Sequence, residues 1–413
     1  MSEGFFRSRW IDAPGHVSEA DPAGLPLGFR AAGVAAGIKP QGLDLGLLVS
    51  DEPATTSAAR FTTNARVGAP VMVSRQANLQ GLRAVVANSG GSNTGDGQRG
   101  LDTATAMQVR AAERLGLEPA QVGVASTGMI GHELPRAIVL AGIDAAAAGL
   151  QEGAGGFSEA ILTSDKMLKR ACLDVDLPSG RVRLAAQAKG AGMLSPRFAT
   201  MFCFVQTDAA VDADTLDLLT GVCVRRSFDR ISVDGQLSTS DTVFALANGR
   251  SGVTVEPQTE GELRLGEAMD ALLRQLAVEM VADGEGCERV GRIVVRGAID
   301  TVEPVARAVA DSPLVKTALH GADPNFGRIL QAAGAAMPIG SHFVADLEIE
   351  GRQVVSAGDA VDFDEAELRD LEAAVRQGEV DFALTLPGEG GEAEVFFSDL
   401  SEAYVSFNAK YTS

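Results

Sequence analysis

Positive charge is in short supply in this sequence. Lysine and arginine together number 35 against 55 aspartates and glutamates, a formal net charge of −20. Such a surface has no basic face to offer a phosphate backbone, so no nucleic-acid partner is expected. The acid excess alone reads as a solvated surface. Histidine is also scarce. His16, His132, His320 and His342 are scattered, with no HExxH or paired histidines, which argues against a zinc hydrolase and a metal site. The four cysteines, Cys172, Cys203, Cys223 and Cys287, form no CxxC pair and no metal-ligand spacing. They suit a reducing compartment, with Cys203 in an apolar run where a buried thiol is ordinary. No apolar run reaches the length of a membrane span, and the opening MSEGFFRSRWIDAPGH lacks the apolar centre of a signal peptide. A cytoplasmic protein with no membrane partner and no cofactor is therefore expected. No internal repeat or low-complexity tract stands out.

What is present is a long chain of ordinary globular composition, 413 residues with 46% hydrophobic, 22% charged and 47 glycines. That length suggests two or three domains. Strand-like runs at 82–87, 122–126 and 242–247 alternate with helical patterns at 101–117, 212–228 and 261–286. Residues 201–205 read as a buried strand. After about residue 290 the same texture repeats on a smaller scale: GRIVVRGA, a helix after Pro304, HFVADLEIE, a charged helix near 364–377, VDFALTL and AEVFF. This predicts a core domain over 1–287 and a smaller α/β domain over 288–413.

Three stretches could carry chemistry. The first, Gly95-x-Gly97-x-x-Gly100, imitates a dinucleotide fingerprint, but seven residues separate it from the preceding strand-like Ala87. The motif needs its first glycine directly at the strand end, so that the pyrophosphate meets the helix N-terminus. The second, ASTGMIG at 125–131, runs from a strand into Thr127-Gly128. A hydroxyl followed by a bare backbone N–H can converge on one point as an oxyanion hole; an ordinary Ser/Thr/Gly turn has the same composition. The third, KGAGMLSPRFATM at 189–201, joins a lysine in a glycine-rich loop to Ala199-Thr200 at the start of a strand. A β-branched residue at a strand edge would explain Thr200. With no His/Asp pair at hand, the chemical reading is a threonine activated by its own α-amino group, which requires cleavage between Ala199 and Thr200.

The sequence resembles the bifunctional ornithine acetyltransferase/glutamate N-acetyltransferase family of arginine biosynthesis. The resemblance runs through GIKPQGLDLGLL (37–48), VVANSG (85–90), VASTGMIG (124–131), KGAGMLSPRFATM (189–201), SVDGQLSTSDTV (232–243), DGEG (283–286), SPLVKTALHGADPNFGRIL (312–330) and SDLSEAYVSFNAKYTS (398–413). It implies a precursor that cuts itself before Thr200, whose two pieces stay together, usually as an α2β2 heterotetramer. It implies acetyl transfer from N2-acetylornithine to glutamate through an acetyl-threonine. Thr200 is then the nucleophile, Thr127 and Gly128 the oxyanion hole, and Thr163, Lys189, Thr200, Glu285, Asn408 and Ser413 the substrate contacts. Lys189 is a natural partner for a substrate carboxylate, and Glu285 for the side-chain cation of ornithine. The implied fold is α/β: a layered sandwich of two β-sheets flanked by helices, like the self-cleaving aminopeptidases, with a smaller C-terminal α/β domain.

Four stretches depart from the family pattern: NSGGSNTGDG at 88–97, TSDK at 163–166, GQLSTSD at 235–241 and GEGCER at 284–289. They leave the nucleophile, lysine and oxyanion positions intact and fall on residues that could choose the substrate. Alternatives are a transferase of a specialised pathway using other amino acids, a self-cleaving aminopeptidase or amidase, a catalytically silent scaffold, and, more remotely, a dinucleotide oxidoreductase.

Overall fold

Along the strand Ala84–Asn88 every residue is buried, so both of its faces must be covered. The protein, seen here in a computed structural model that describes residues 4–195, 201–341 and 343–410, meets that requirement with four layers. Ala84 and Val86 join one apolar cluster with Met107, Ala111, Val139 and Ile143, from the helices Gly97–Leu115 and Arg136–Ala148. Val85 and Ala87 join another with Phe202, Phe204, Phe244 and Leu246. The intervening residues of those last two strands, Cys203, Val205, Val243 and Ala245, face a third cluster. That cluster is closed by Leu216, Leu272 and Leu276 of the helices Ala213–Arg226 and Glu260–Ala282. Period-two alternation thus builds helices, sheet, sheet and helices in turn. This is the layered sandwich of two sheets flanked by helices.

The first sheet orders the strands Phe29–Val34, Leu45–Ser50, Ala84–Asn88 and Val122–Ser126, the last pair parallel. The second orders Val17–Glu19, Lys169–Leu177, Gly180–Lys189, Phe202–Thr207, Thr242–Ala247 and Thr56–Phe61. Two short parallel strands, Ala210–Val211 and Thr254–Val255, form a separate ribbon.

From Val290 onward a seven-stranded sheet carries its own core, with Ile293, Val295, Phe382 and Leu384 packed against Val305, Val309, Ile329 and Leu371. Its edge strand, Ile231–Ser232, comes from much earlier in the chain and pairs parallel with Gly390–Ser398.

Several boundaries move from their expected places, the helix expected over 101–117 spanning Gly97–Leu115 among them, and three shifts have a plain local cause or consequence. The long helix ends at Ala282, before Gly284, because the Asp283 N–H caps it onto the Glu279 and Val281 carbonyls. Helix Val302–Asp311 begins ahead of Pro304, which fits inside the first turn where its missing N–H has no intrahelical partner to lose. Met201 is buried but precedes its strand, which starts at Phe202.

Candidate active site

Lys189 ends the strand Gly180–Lys189, opposite Phe202 in the antiparallel register. Lys189 is only 1% exposed. Burial pulls its ammonium below the usual lysine range, opposed mainly by the charge of Asp165. Its Nζ donates to Thr127 Oγ1 at 3.1 Å. Thr127 directly follows the strand Val122–Ser126, and its own N–H bonds the Asn88 carbonyl at 3.0 Å. That bond turns the hydroxyl toward the lysine and leaves Gly128 at the turn. Gly128 has φ +123°, and a Cβ there would lie 2.6 Å from the backbone of Gly90 and Gly91, so no other residue fits.

Thr200, Ala199 and Ser413 lie outside the described residues. The residue bonded to Thr200 is described: the Met201 N–H donates to Asp241 Oδ1 at 3.0 Å. Asp241 is fully buried, and burial pushes its carboxyl well above the usual carboxylate range despite the Met201 N–H, which favours the charged form.

A second group gathers at the end of the long helix. Ser164 Oγ donates to Glu285 Oε1 at 2.7 Å, and Asn408 Nδ2, from the helix Glu402–Lys410, donates to Oε2 at 2.9 Å. The Glu285 N–H bonds the Ala191 carbonyl at 2.9 Å, so the glutamate sits beside the glycine-rich loop. Glu285 and Asn408, which sequence reading placed in one substrate site, are therefore in contact. Lys189 and Thr127 form the other contact pair.

Asp165 bridges the two groups. It accepts from the N–H of Gly190 at 2.7 Å on Oδ1 and of Thr163 at 3.1 Å on Oδ2. Although burial opposes ionisation, the charges of Lys169 and Lys189 hold its carboxyl well below the usual range. Lys169 Nζ reaches Asp165 Oδ1 at 2.7 Å and Asp283 Oδ2 at 2.5 Å, with all three side chains enclosed. Sequence reading gave no role to Ser164, Asp165, Lys169, Asp241 or Asp283, although the departing stretches 163–166 and 235–241 take in Ser164, Asp165 and Asp241. A further local signal is the Asp-x-x-x-Lys spacing at 165–169; the remaining contacts join segments far apart in the chain.

A buried cation, a hydroxyl it polarises and an anion across the loop can together grip an amino acid and stabilise an oxyanion. Comparison with known proteins places this arrangement in context. The model of the ArgJ family matches residues 30–413. The "Arginine biosynthesis bifunctional protein ArgJ" of Symbiobacterium thermophilum is 41% identical over 397 residues, covering 94% of this chain and 97% of that protein. Its namesake from Dehalococcoides mccartyi is 39% identical over 403 residues, covering 94% and 96%. Among solved structures, the ornithine acetyltransferase of Mycobacterium tuberculosis complexed with ornithine is 33% identical, covering 45% of this chain and 99% of that one, with a TM-score of 0.41.

Proposed function

The chain belongs to the ArgJ family, and from that premise we propose that it moves acetyl from N2-acetylornithine to glutamate in arginine biosynthesis, after cutting itself between Ala199 and Thr200. One observation carries the proposal. Lys189 holds the Thr127 hydroxyl at 3.1 Å, beside the strand that the Met201 amide leads into. Cation, oxyanion donors and the residue next to the nucleophile thus meet at one end of two sheets.

The steps follow from those groups. The Thr200 hydroxyl attacks the acetyl carbonyl, and its α-amino group takes the proton. The oxyanion is met by the Thr127 hydroxyl and the Gly128 N–H. The C–N bond breaks, the proton passes to the leaving amine, and ornithine departs, leaving an acetyl ester on Thr200. The amine of glutamate then attacks the ester carbonyl and loses a proton to the α-amino group; the ester C–O bond breaks, that proton passes to the Thr200 oxygen, and N-acetylglutamate leaves with the hydroxyl restored. The donor leaves before the acceptor enters, so one pocket holds both amino acids: Lys189 on the carboxylate, Glu285 on the side-chain cation of ornithine, with Thr163, Asn408 and Ser413 completing it. Catalysis belongs to residues 1–287 and closure of the substrate side to 288–413, a division that the Asn408–Glu285 bond crosses. The two pieces stay together in an α2β2 assembly, in the cytoplasm.

The test is to supply donor alone. The piece beginning at Thr200 should gain the mass of one acetyl group, and glutamate should clear it with ping-pong kinetics. Acetyl-enzyme that glutamate fails to clear overturns the acceptor assignment. Acetate as the sole product with every amino acid tried makes the protein a hydrolase.

A further inference from the structure

Burying charge is expensive, and a cluster of buried charges holds a fold together no better than apolar side chains of the same volume. Lys169, Asp165 and Asp283 are enclosed all the same, their side chains 0%, 0% and 3% exposed. What the triad adds is a fixed relation between three segments. Asp165 holds the Gly190 N–H, one residue from Lys189, and the Thr163 N–H. Asp283 caps the long helix two residues before Glu285 and takes the N–H groups of Lys166 and Met167. Lys169 Nζ joins the two carboxylates. The segments so joined carry Lys189, Thr163 and Glu285.

We infer that Lys169 is a positioning residue that fixes the spacing between Lys189 and Glu285, and with it the side-chain length of the amino acid that the site accepts. The inference rests on the substrate roles proposed for Lys189 and Glu285. A diamino acid gripped by its carboxylate at one end and its terminal ammonium at the other is measured by the distance between the two grips. One methylene too many or too few leaves a charge unmet. An ion triad sets that distance more firmly than apolar packing, because its hydrogen bonds are directional and short.

The experiment uses the purified, cleaved protein with the Lys169→Arg and Asp283→Asn variants. The first keeps both ion pairs with a longer pin, and the second frees one end while leaving Lys169 paired with Asp165. For each, kcat/KM is measured with the N2-acetyl derivatives of 2,4-diaminobutyrate, ornithine and lysine. Acetylation by p-nitrophenyl acetate, which has no amino-acid part to grip, serves as the control for folding and nucleophile. The expected result is a change of roughly 10–200-fold in the ratio between substrates, the usual worth of one misplaced methylene, with the rate on p-nitrophenyl acetate within about three-fold of the parent. All substrates and the control falling together, with their ratios unchanged, would show a purely structural triad and overturn the inference. A parent enzyme with no preference among the three lengths, yet acetylated by p-nitrophenyl acetate, overturns the substrate roles on which the inference stands.

Discussion

Because Lys189 donates to Thr127 Oγ1, the hydroxyl proton of Thr127 remains free to point into the site. Thr127→Ala removes that donor and leaves the turn at Gly128 unchanged. It should slow acyl transfer by roughly 10²–10³, the usual loss for one oxyanion donor, while Thr127→Ser keeps most of the rate; unchanged turnover in the alanine variant would move the hole elsewhere. Asp241 gives a prediction of another kind. An unfolded aspartate ionises near 3.8, and burial holds the folded one protonated to well above that. Between those two pH values the folded state binds the extra proton, so this contribution to stability is present at low pH and lost as pH rises. Asp241→Asn still accepts from the Met201 N–H but has no proton to release. Its unfolding free energy, from urea titrations at pH 5 and pH 8, should fall less over that interval than the parent's; equal falls would mean that the carboxyl is ionised in the fold. Thr127 and Asp241 also mark what could be read from sequence. Thr127 stands in a stretch whose composition already suggests a hole for an oxyanion. Asp241 earns its place by touching an amide 40 residues away, and nothing in its neighbours announces that.

At the scale of elements, apolar periodicity was the best guide and loops the worst. The strands Val122–Ser126 and Thr242–Ala247 fall where their apolar runs place them, because a strand buried on both faces is apolar throughout. Asp212 announces its helix as a capping residue, accepting from the N–H groups of Asp214 and Thr215. The stretch 163–169 carries no such period. It is held by Asp165 and Asp283 rather than by a ladder, so how it joins the site came into view only with the fold, although Thr163 and the departing stretch 163–166 already pointed to it. The glycine-rich loop is similar in that a close approach dictates its residues. A Cβ on Gly192 would lie 2.6 Å from the carboxyl carbon of Glu285. Gly192→Ala should therefore push Glu285 aside. The expected outcome is a KM for the acetylated donor raised several-fold, with the thermal melt close to the parent's because the displaced atoms end a flexible side chain. A KM that does not move would place the substrate cation away from Glu285.

For the whole molecule the proposed cut is the governing event. Purified protein should run as two pieces, 1–199 and 200–413, with N-terminal sequencing of the second beginning Thr-Met-Phe-Cys. Thr200→Ala should remain one chain, lacking the hydroxyl proposed for both cleavage and transfer; a variant still cut at this bond would remove the mechanism. The pieces are interleaved. In the six-stranded sheet Phe202–Thr207 lies between Gly180–Lys189, from the first piece, and Thr242–Ala247, from the second, which in turn pairs with Thr56–Phe61 from the first. The cut therefore changes molecularity without changing the sheet. An uncut chain refolds as one molecule, at a rate indifferent to dilution. Once severed and denatured, the halves become independent solutes that must find each other by diffusion, and recovery of the native sheet becomes second order in protein, slowing with every dilution.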